Sequence, residues 1–473
     1  MPSSIELDVG HVPSPRRQLA DDGDGIAPFR VVVLGDFSGR PRAERVALAQ
    51  RHAVRVDIDN FEAVFARLAP RAEIAGLQDK LGVALRIELE TMEEFSADAV
   101  LARLPAQALA SASAPVDAPR EEDAAALMQR LLGGSLPAGA PALAASAPPS
   151  PGPDAAIDRF IRQLVGTQPS ARVAPAAPAH GSDDTAAALL RHVLRDPAWR
   201  HLECAWRAVD RIVRELDMAD GDVRLELLDC RADELLADLG AAAGDPARAA
   251  ITPVLRGDGR GCDLVVSLEE FGPSLPELSL LGGLAAAAVA QGGVLVAGAA
   301  PALAAVAASD DAQVLASNES RVWRALRESA LAPHVGLTFP RLLARLPYGP
   351  RNDPVAAFPF DELADASAGA PHDHLVWRSA ALDAALLLAQ GHGQGGVETL
   401  VQLADLPAFI DRSGDEPRLQ AVAEAYLGER EASVLQAAGL ITLQSDRRVP
   451  SARVSGWHSI ALGGASLRGS WRA

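Results

Sequence analysis

Short runs of aliphatic and β-branched residues alternate in this chain with segments whose apolar positions recur at helical spacing, a pattern that predicts α/β architecture. Val31–Leu34 is a continuous apolar run stopped by Gly35-Asp36, and it reads as a buried strand followed by a turn. Ala53–Ile58 alternates in part and gives a second strand. Asp59-Asn60 can cap a helix over Phe61–Leu68, in which Phe61, Val64, Phe65 and Leu68 share one face. Leu81–Leu89, with Arg86 and Glu88 at alternate positions, reads as a half-buried strand. Met92–Phe95 then leads into a helix through Val100, Leu101 and Leu104.

The pattern lapses between residues 105 and 180, where Ala, Pro, Ser and Gly dominate, as in APALAASAPPSPGPDAA. Such a composition buries too little apolar surface to order itself. Two short amphipathic helices are expected within it. Glu121–Leu132 presents Leu127, Met128, Leu131 and Leu132, and Ala155–Val165 presents Ile157, Phe160, Ile161, Leu164 and Val165. Tethered helices of this length gain stability by docking, either into a partner's groove or back onto their own domain.

From Asp183 the alternation resumes. Helices are expected over Thr185–Leu194 and Trp199–Leu216, the second with Leu202, Trp206, Val209, Ile212, Val213 and Leu216 as its buried stripe. Val223–Leu228, Cys262–Ser267 and Gly293–Ala297 read as strands, and Leu281–Ala290 as a helix of small residues. An amphipathic segment starting at Trp323 ends near Ser329; an apolar run broken by Pro340 follows, and then a second amphipathic turn closes on Pro347, Tyr348 and Gly349. Further on come a helix at Trp377–Leu388, a glycine-rich loop at Gly391–Gly396 and an extended Val397–Leu403. The last elements are a helix at Glu429–Ala438, the strand Leu440–Leu443 and the Val454–Ala461 segment. Helices alternating with apolar strands imply a mixed or parallel sheet covered on both faces. The expected divisions are a polar tail over 1–27, an α/β domain over 28–105, an Ala/Pro-rich linker over 106–180, a larger α/β domain over 181–350 and a C-terminal region over 351–473.

Composition narrows the function. At 473 residues with 49% hydrophobic but only 4% aromatic residues, the cores are built from small aliphatic groups. A net charge of −18 argues against general nucleic-acid binding, which needs clustered cations. Lys80 is the sole lysine. Cys204, Cys230 and Cys262 are widely spaced and form neither a disulfide framework nor a zinc motif. The N-terminal residues lack the apolar run of a signal peptide, and Pro301 interrupts the stretch Ala299–Ala308 far short of a membrane span. A cytoplasmic protein with no membrane insertion is expected.

Candidate chemistry is sparse. The turn Gly35-Asp36-Phe37-Ser38-Gly39 follows a strand but lacks the GK[ST] ending of a phosphate loop; turn chemistry around Asp36 explains it better. His372, Asp373 and His374 lack an assigned third ligand and read as a solvated loop. Glu269 and Glu270 are adjacent, so a regular strand would point them to opposite faces. Arg324, Arg327 and Glu328 on one helix suggest an ion-pair network or an interface patch. Arg341 and Arg345, placed one helical turn apart near Tyr348, suggest contact with a neighbour's acidic surface. No catalytic constellation, metal set or cofactor motif emerges.

The segment WRALRESALAPHVGLTFPRLLARLPYG, Trp323 to Gly349, resembles the signature of the large subunit of the type VI secretion contractile sheath (TssC or VipB). HLECAWRAVDRIV resembles a helix of the same subunit, and Leu427–Leu443 with Ser459-Ile460-Ala461 resembles its later segments. FRVVVLGDFSGR, Phe29 to Arg40, followed by VDIDNF, resembles the small subunit (TssB or VipA). The resemblance implies one chain carrying both halves of a subunit pair, with the large half shortened at Ala473. It implies sheath-type α/β domains with mixed sheets, no enzyme activity and no cofactor. The implied partners are other sheath subunits, an inner-tube protein, a baseplate and an AAA+ unfoldase (ClpV). The position of Glu121–Leu132 makes it the candidate unfoldase-binding helix. Two other readings stand beside this one: an adaptor that recruits the unfoldase through its linker helices, and a cytoplasmic α/β enzyme using the HDH loop or Glu269-Glu270.

Overall fold

The computed structural model describes residues 28–77, 85–104, 180–218, 221–242, 244–364, 371–393, 396–397, 401–411, 418–419 and 422–471. Contacts divide the chain into two compact units, one formed by residues up to Leu104 together with Ala187 onward, the other by Pro105–Ala186. The expected helices Glu121–Leu132 and Ala155–Val165, with Leu127, Met128, Leu131 and Leu132, lie outside the described residues.

The first unit is built on strands β1 (Phe29–Gly35), β2 (Val54–Arg55), β3 (Arg71–Ile74), β4 (Leu85–Glu88), β5 (Val223–Asp229), β6 (Leu264–Phe271), β7 (Val294–Ala299) and β8 (Val335–Phe339). These are followed by β9 (Leu342–Leu343), β10 (Trp377–Arg378), β11 (Gln402–Leu403), β12 (Ile410–Asp411), β13 (Arg418–Leu419), β14 (Leu440–Ser445) and β15 (Ala452–Val454). Nine of them form one sheet in the order β11-β15-β14-β8-β7-β6-β1-β5-β2. Strands β5, β1, β6, β7, β8 and β14 run parallel; β2 pairs antiparallel with β5 at one margin, and at the other β15 pairs antiparallel with β14 and β11 antiparallel with β15.

The position of β1 matters most. It pairs with β5 from Phe29↔Val223 to Gly35↔Asp229 on one side, and with β6 from Val31↔Leu264 to Leu34↔Ser267 on the other. All seven of its residues are buried, as a continuous apolar run in the middle of a covered sheet should be. The strand expected to found a domain over 28–105 therefore lies inside the sheet built by residues 187–471. Val32 and Leu34 join Val265, Leu295, Ala297 and Leu337 in a core with the helices Ala232–Ala241, Ile251–Arg256 and Leu275–Ala290. The helix Ala381–Gly393 packs on β1, β6, β7 and β8 and against the helix Pro197–Glu215.

Helix Phe61–Leu68 forms with the expected bounds, but Asn60 makes no side-chain cap; its Oδ1 accepts from Asp57 N at 3.0 Å instead. The segment after Pro340 differs more. An amphipathic turn was expected there, whereas Leu342–Leu343 is extended and buried, pairing with β10 on one side and bridging Ala423 on the other. Two consecutive buried leucines suit an extended ribbon flanked on both sides, which removes the helical relation expected between Arg341 and Arg345. Likewise Trp377–Arg378 is strand, and the helix begins at Ala381 and runs through Gly391. Pro301, read as an interruption, starts the helix Pro301–Ala307, where a missing N–H costs nothing. No helix among the described residues is long and apolar enough to cross a membrane.

Candidate functional site

Hydrogen bonds, ion pairs and aromatic contacts join the 28–104 segment to the rest of the unit. At the centre of this joint lies the Gly35–Gly39 turn. Asp229, at the end of β5, accepts from Phe37 N at 2.9 Å, Ser38 N at 3.0 Å and Ser38 Oγ at 2.7 Å. Asp36 accepts from Gly39 N at 2.7 Å, which is the turn chemistry expected of it, and also pairs with Arg45 and Arg231. The side chain of Arg45 is 2% exposed; burial opposes its charge, but Asp229 and Asp36 outweigh that and raise its pKa. The turn is a structural cross-link with its donors already satisfied.

Gly39 holds φ +62°, and a Cβ there would sit 1.9 Å from the Arg71 carbonyl oxygen. Gly39→Ala is therefore expected to cost about 2–4 kcal/mol, from left-handed strain plus displacement of the Ser38–Arg71 backbone contact. Urea denaturation would read this as a lower midpoint at unchanged slope, and a midpoint equal to wild type would refute it.

An aromatic stack extends the joint. Trp206, on the helix Pro197–Glu215, meets Phe65 at 4.5 Å, Phe37 at 5.6 Å and Phe61 at 5.9 Å between ring centroids. Its Nε1 donates to the Phe37 carbonyl at 2.9 Å. Phe95 bridges Phe65 at 6.2 Å to Trp199 at 5.3 Å. Four phenylalanines from the first segment thus enclose two tryptophans from the second. Such rings bury large areas and gain further from edge-to-face geometry.

Two buried ion-pair systems complete the joint. Arg30 of β1 donates through Nε and Nη2 to Glu226 of β5 at 3.0 and 2.6 Å, and its backbone N–H donates to Asp263 at 2.9 Å. In the Leu-Pro-Tyr-Gly region, Arg345 Nε donates to Glu203 at 2.8 Å, while Nη1 and Nη2 grip Glu362 at 2.7 and 3.0 Å. Its guanidinium lies 4.3 Å above the Tyr348 ring centroid. The Tyr348 backbone N–H donates to Glu362 at 2.9 Å, and its hydroxyl donates to the Phe95 carbonyl at 3.1 Å. Burial pushes the Tyr348 hydroxyl up to about 12. Burial also opposes ionisation of Glu203, but Arg345 and Arg207 outweigh it and hold its carboxyl below the usual range.

The residues singled out as partner contacts therefore have diverse settings. Arg345 and Tyr348 are 6% and 5% exposed and engaged within the chain. Arg341 pairs with Glu424 at 2.7 Å. Arg327 donates to the carbonyls of Ile460 and Ala437 at 2.8 and 3.2 Å. Arg324 and Glu328 pair at 3.1 Å on the surface. Because Arg324 is 75% exposed, Arg324→Ala should change unfolding free energy by less than about 0.5 kcal/mol, and a larger loss by denaturant titration would place it in a structural network. The His372 ring lies tilted against Trp377, 4.9 Å between centroids, and contacts the Glu424 carbonyl. Sequence reasoning did not single out Arg30, Glu203, Asp229 or Glu362. Arg30 alone carried a signal, as a charge entering an otherwise apolar strand.

Two segments thus close around one sheet, and the comparisons give the chain a family. Residues 182–461, more than half of the chain, match the family described as "EvpB/VC_A0108, tail sheath N-terminal domain". The chain belongs to this type VI secretion sheath family. Residues 26–111 match a second family, "Type VI secretion system, VipA, VC_A0107 or Hcp2". The chain is similar to the type VI secretion system sheath protein TssC1 of Pseudomonas aeruginosa, at 28% identity over 217 residues, covering 42% of each protein. It is also similar to the sheath protein TssB1 of that organism, at 33% identity over 76 residues, covering 15% of this chain and 44% of the relative. The chain thus spans less than half the length of each of these two relatives.

Proposed function

We propose that this chain is a structural component of a type VI secretion contractile sheath, a fused small and large subunit that polymerises, or caps a polymer, around an inner tube. One observation supports the reading above the others: segments matching the small- and large-subunit families contribute neighbouring strands, β1 between β5 and β6, to one sheet. Fusion fixes their ratio at one to one and turns their association into an intramolecular event. The protein acts by packing and makes no bond in a substrate. Its location is the cytoplasm, and its partners are other sheath subunits, the inner-tube protein and the baseplate. An AAA+ unfoldase docks on the segment Glu121–Leu132 through Leu127, Met128, Leu131 and Leu132, while Arg324 and Glu328 offer a charged surface to a neighbouring subunit. Negative-stain microscopy of the purified chain, alone and with inner-tube and full-length sheath proteins, tests this reading. Tubular or end-capped assemblies are expected; monomers under every condition, with no sheath protein co-purifying, would refute it.

A further inference from the structure

A crevice of about 370 Å³ opens at the C-terminal end of β6, lined among others by Arg200, Cys204, Glu269, Glu270, Arg341 and Trp377. In open α/β sheets, ligands settle beyond the carboxyl ends of the strands, where the chain order reverses. The reversal here lies between β1 and β6: the strands that follow β1 in this sheet, β2 and β5, lie on one side, and those that follow β6, β7 and β8, lie on the other. The crevice lies on the β6 side of that point, between the end of β6 and the helix Pro197–Glu215.

Adjacent residues of a regular strand face opposite ways, which at first separates Glu269 from Glu270. The pairing of β6 with β7 shifts register between Val266 and Glu270, however, and both residues line the crevice. Irregularities of this kind commonly re-aim side chains next to binding sites.

Each nearby arginine has partners of its own. Arg378 donates to Asp383 at 2.8 Å, and Arg200 donates to the carbonyls of Leu194 and His374 at 3.2 and 2.9 Å. Arg341 binds Glu424 at 2.7 Å and also pairs with Glu270 at 3.5 Å. Among the described residues, the Glu269 carboxylate has no hydrogen-bond or ion-pair partner. Desolvation pushes Glu270 up to about 7; Arg341 draws it back in part, while Glu424 and Glu269 add to the rise. His201, Asp373 and Ser379 complete the polar surroundings.

We propose that this crevice takes a guanidinium or alkylammonium group, seated between the Glu269 and Glu270 carboxylates. The sources of that chemistry are a free small cation or an arginine side chain from a second copy of this chain, whose cationic side chains are all arginine except Lys80. The inference goes beyond the sheath reading, and its test does not depend on assembly.

N-acetyl-arginine amide and its neutral analogue N-acetyl-citrulline amide are titrated into the full-length chain and followed by calorimetry. Binding of the arginine probe with a dissociation constant at or below about 1 mM is expected, with citrulline at least about tenfold weaker. Affinity should rise between pH 6 and pH 8, as Glu270 loses its proton near 7. Glu269→Gln removes no protein contact, so it should fold as wild type and still weaken binding about tenfold or more; Glu269→Gln/Glu270→Gln should abolish it. Equal affinity for the two probes, no saturable binding, or binding that survives the double substitution overturns the proposal. Sedimentation velocity then separates the sources: self-association weakened by the double substitution assigns the group to a second copy, and unchanged self-association assigns it to a free cation.

Discussion

Residues 180–473 produced without the preceding segment will fail to fold, and supplying residues 1–104 as a separate chain will restore the fold. Removing β1 strips the ladder between β5 and β6 and takes away Phe29, Val31, Val32, Val33 and Leu34, each at most 1% exposed. At about 1.5–3 kcal/mol per buried side chain, that loss alone is on the order of 7–15 kcal/mol, comparable to the whole stability of an ordinary domain. The exposed tryptophans and the orphaned Glu226 add to it. Circular dichroism and tryptophan emission of the shortened chain, with and without the 1–104 fragment, read the outcome directly. A cooperative unfolding transition in the isolated 180–473 chain would refute the prediction.

The second large effect belongs to Arg345. Its replacement by Met leaves Glu203 and Glu362, both 0% exposed, without their shared cation. Breaking a buried pair by removing one partner costs about 3–5 kcal/mol, because the remaining charge stays desolvated. Arg345→Lys should recover less than half of the loss, since an ammonium cannot reproduce the fork held between two carboxylates. Guanidinium denaturation is the measurement, and a loss under about 1 kcal/mol would show that the network adds nothing. The same network gives stability a pH dependence. Glu203 is depressed in the folded chain, so its contribution is present above the ordinary carboxylate value and is lost as pH falls through the lower folded value. Wild type should therefore lose stability below about pH 4.5 more steeply than Arg345→Met.

Much of the sheet was legible because period and burial agree. Val31–Leu34, Val223–Leu228, Cys262–Ser267 and Gly293–Ala297 are apolar runs of strand length, and each lies within or overlaps a strand of the central sheet. The stripe on Trp199–Leu216 likewise marked a buried helix face. Order across the sheet was not legible, because nothing in FRVVVLG says which strands flank it; only tertiary packing does. The Pro340–Tyr348 segment misled because Arg341 and Arg345 have helical spacing, whereas Leu342–Leu343 is held extended by partners distant in sequence. Glu269 and Glu270 misled for the opposite reason: the alternation rule holds for a regular strand, and β6 shifts register there. The partners of Arg345 lie 142 and 17 residues away, distances over which a single sequence carries no pairing signal.

Amide hydrogen exchange on the peptide covering Phe29–Gly35 is the most direct test of a first segment woven into the centre of the sheet. The structure predicts that these amides exchange only through global unfolding, at the same opening free energy as those of Leu264–Phe271 and with the same response to denaturant. Exchange of Phe29–Gly35 at an independent, much lower opening free energy, while Leu264–Phe271 stays protected, would contradict it.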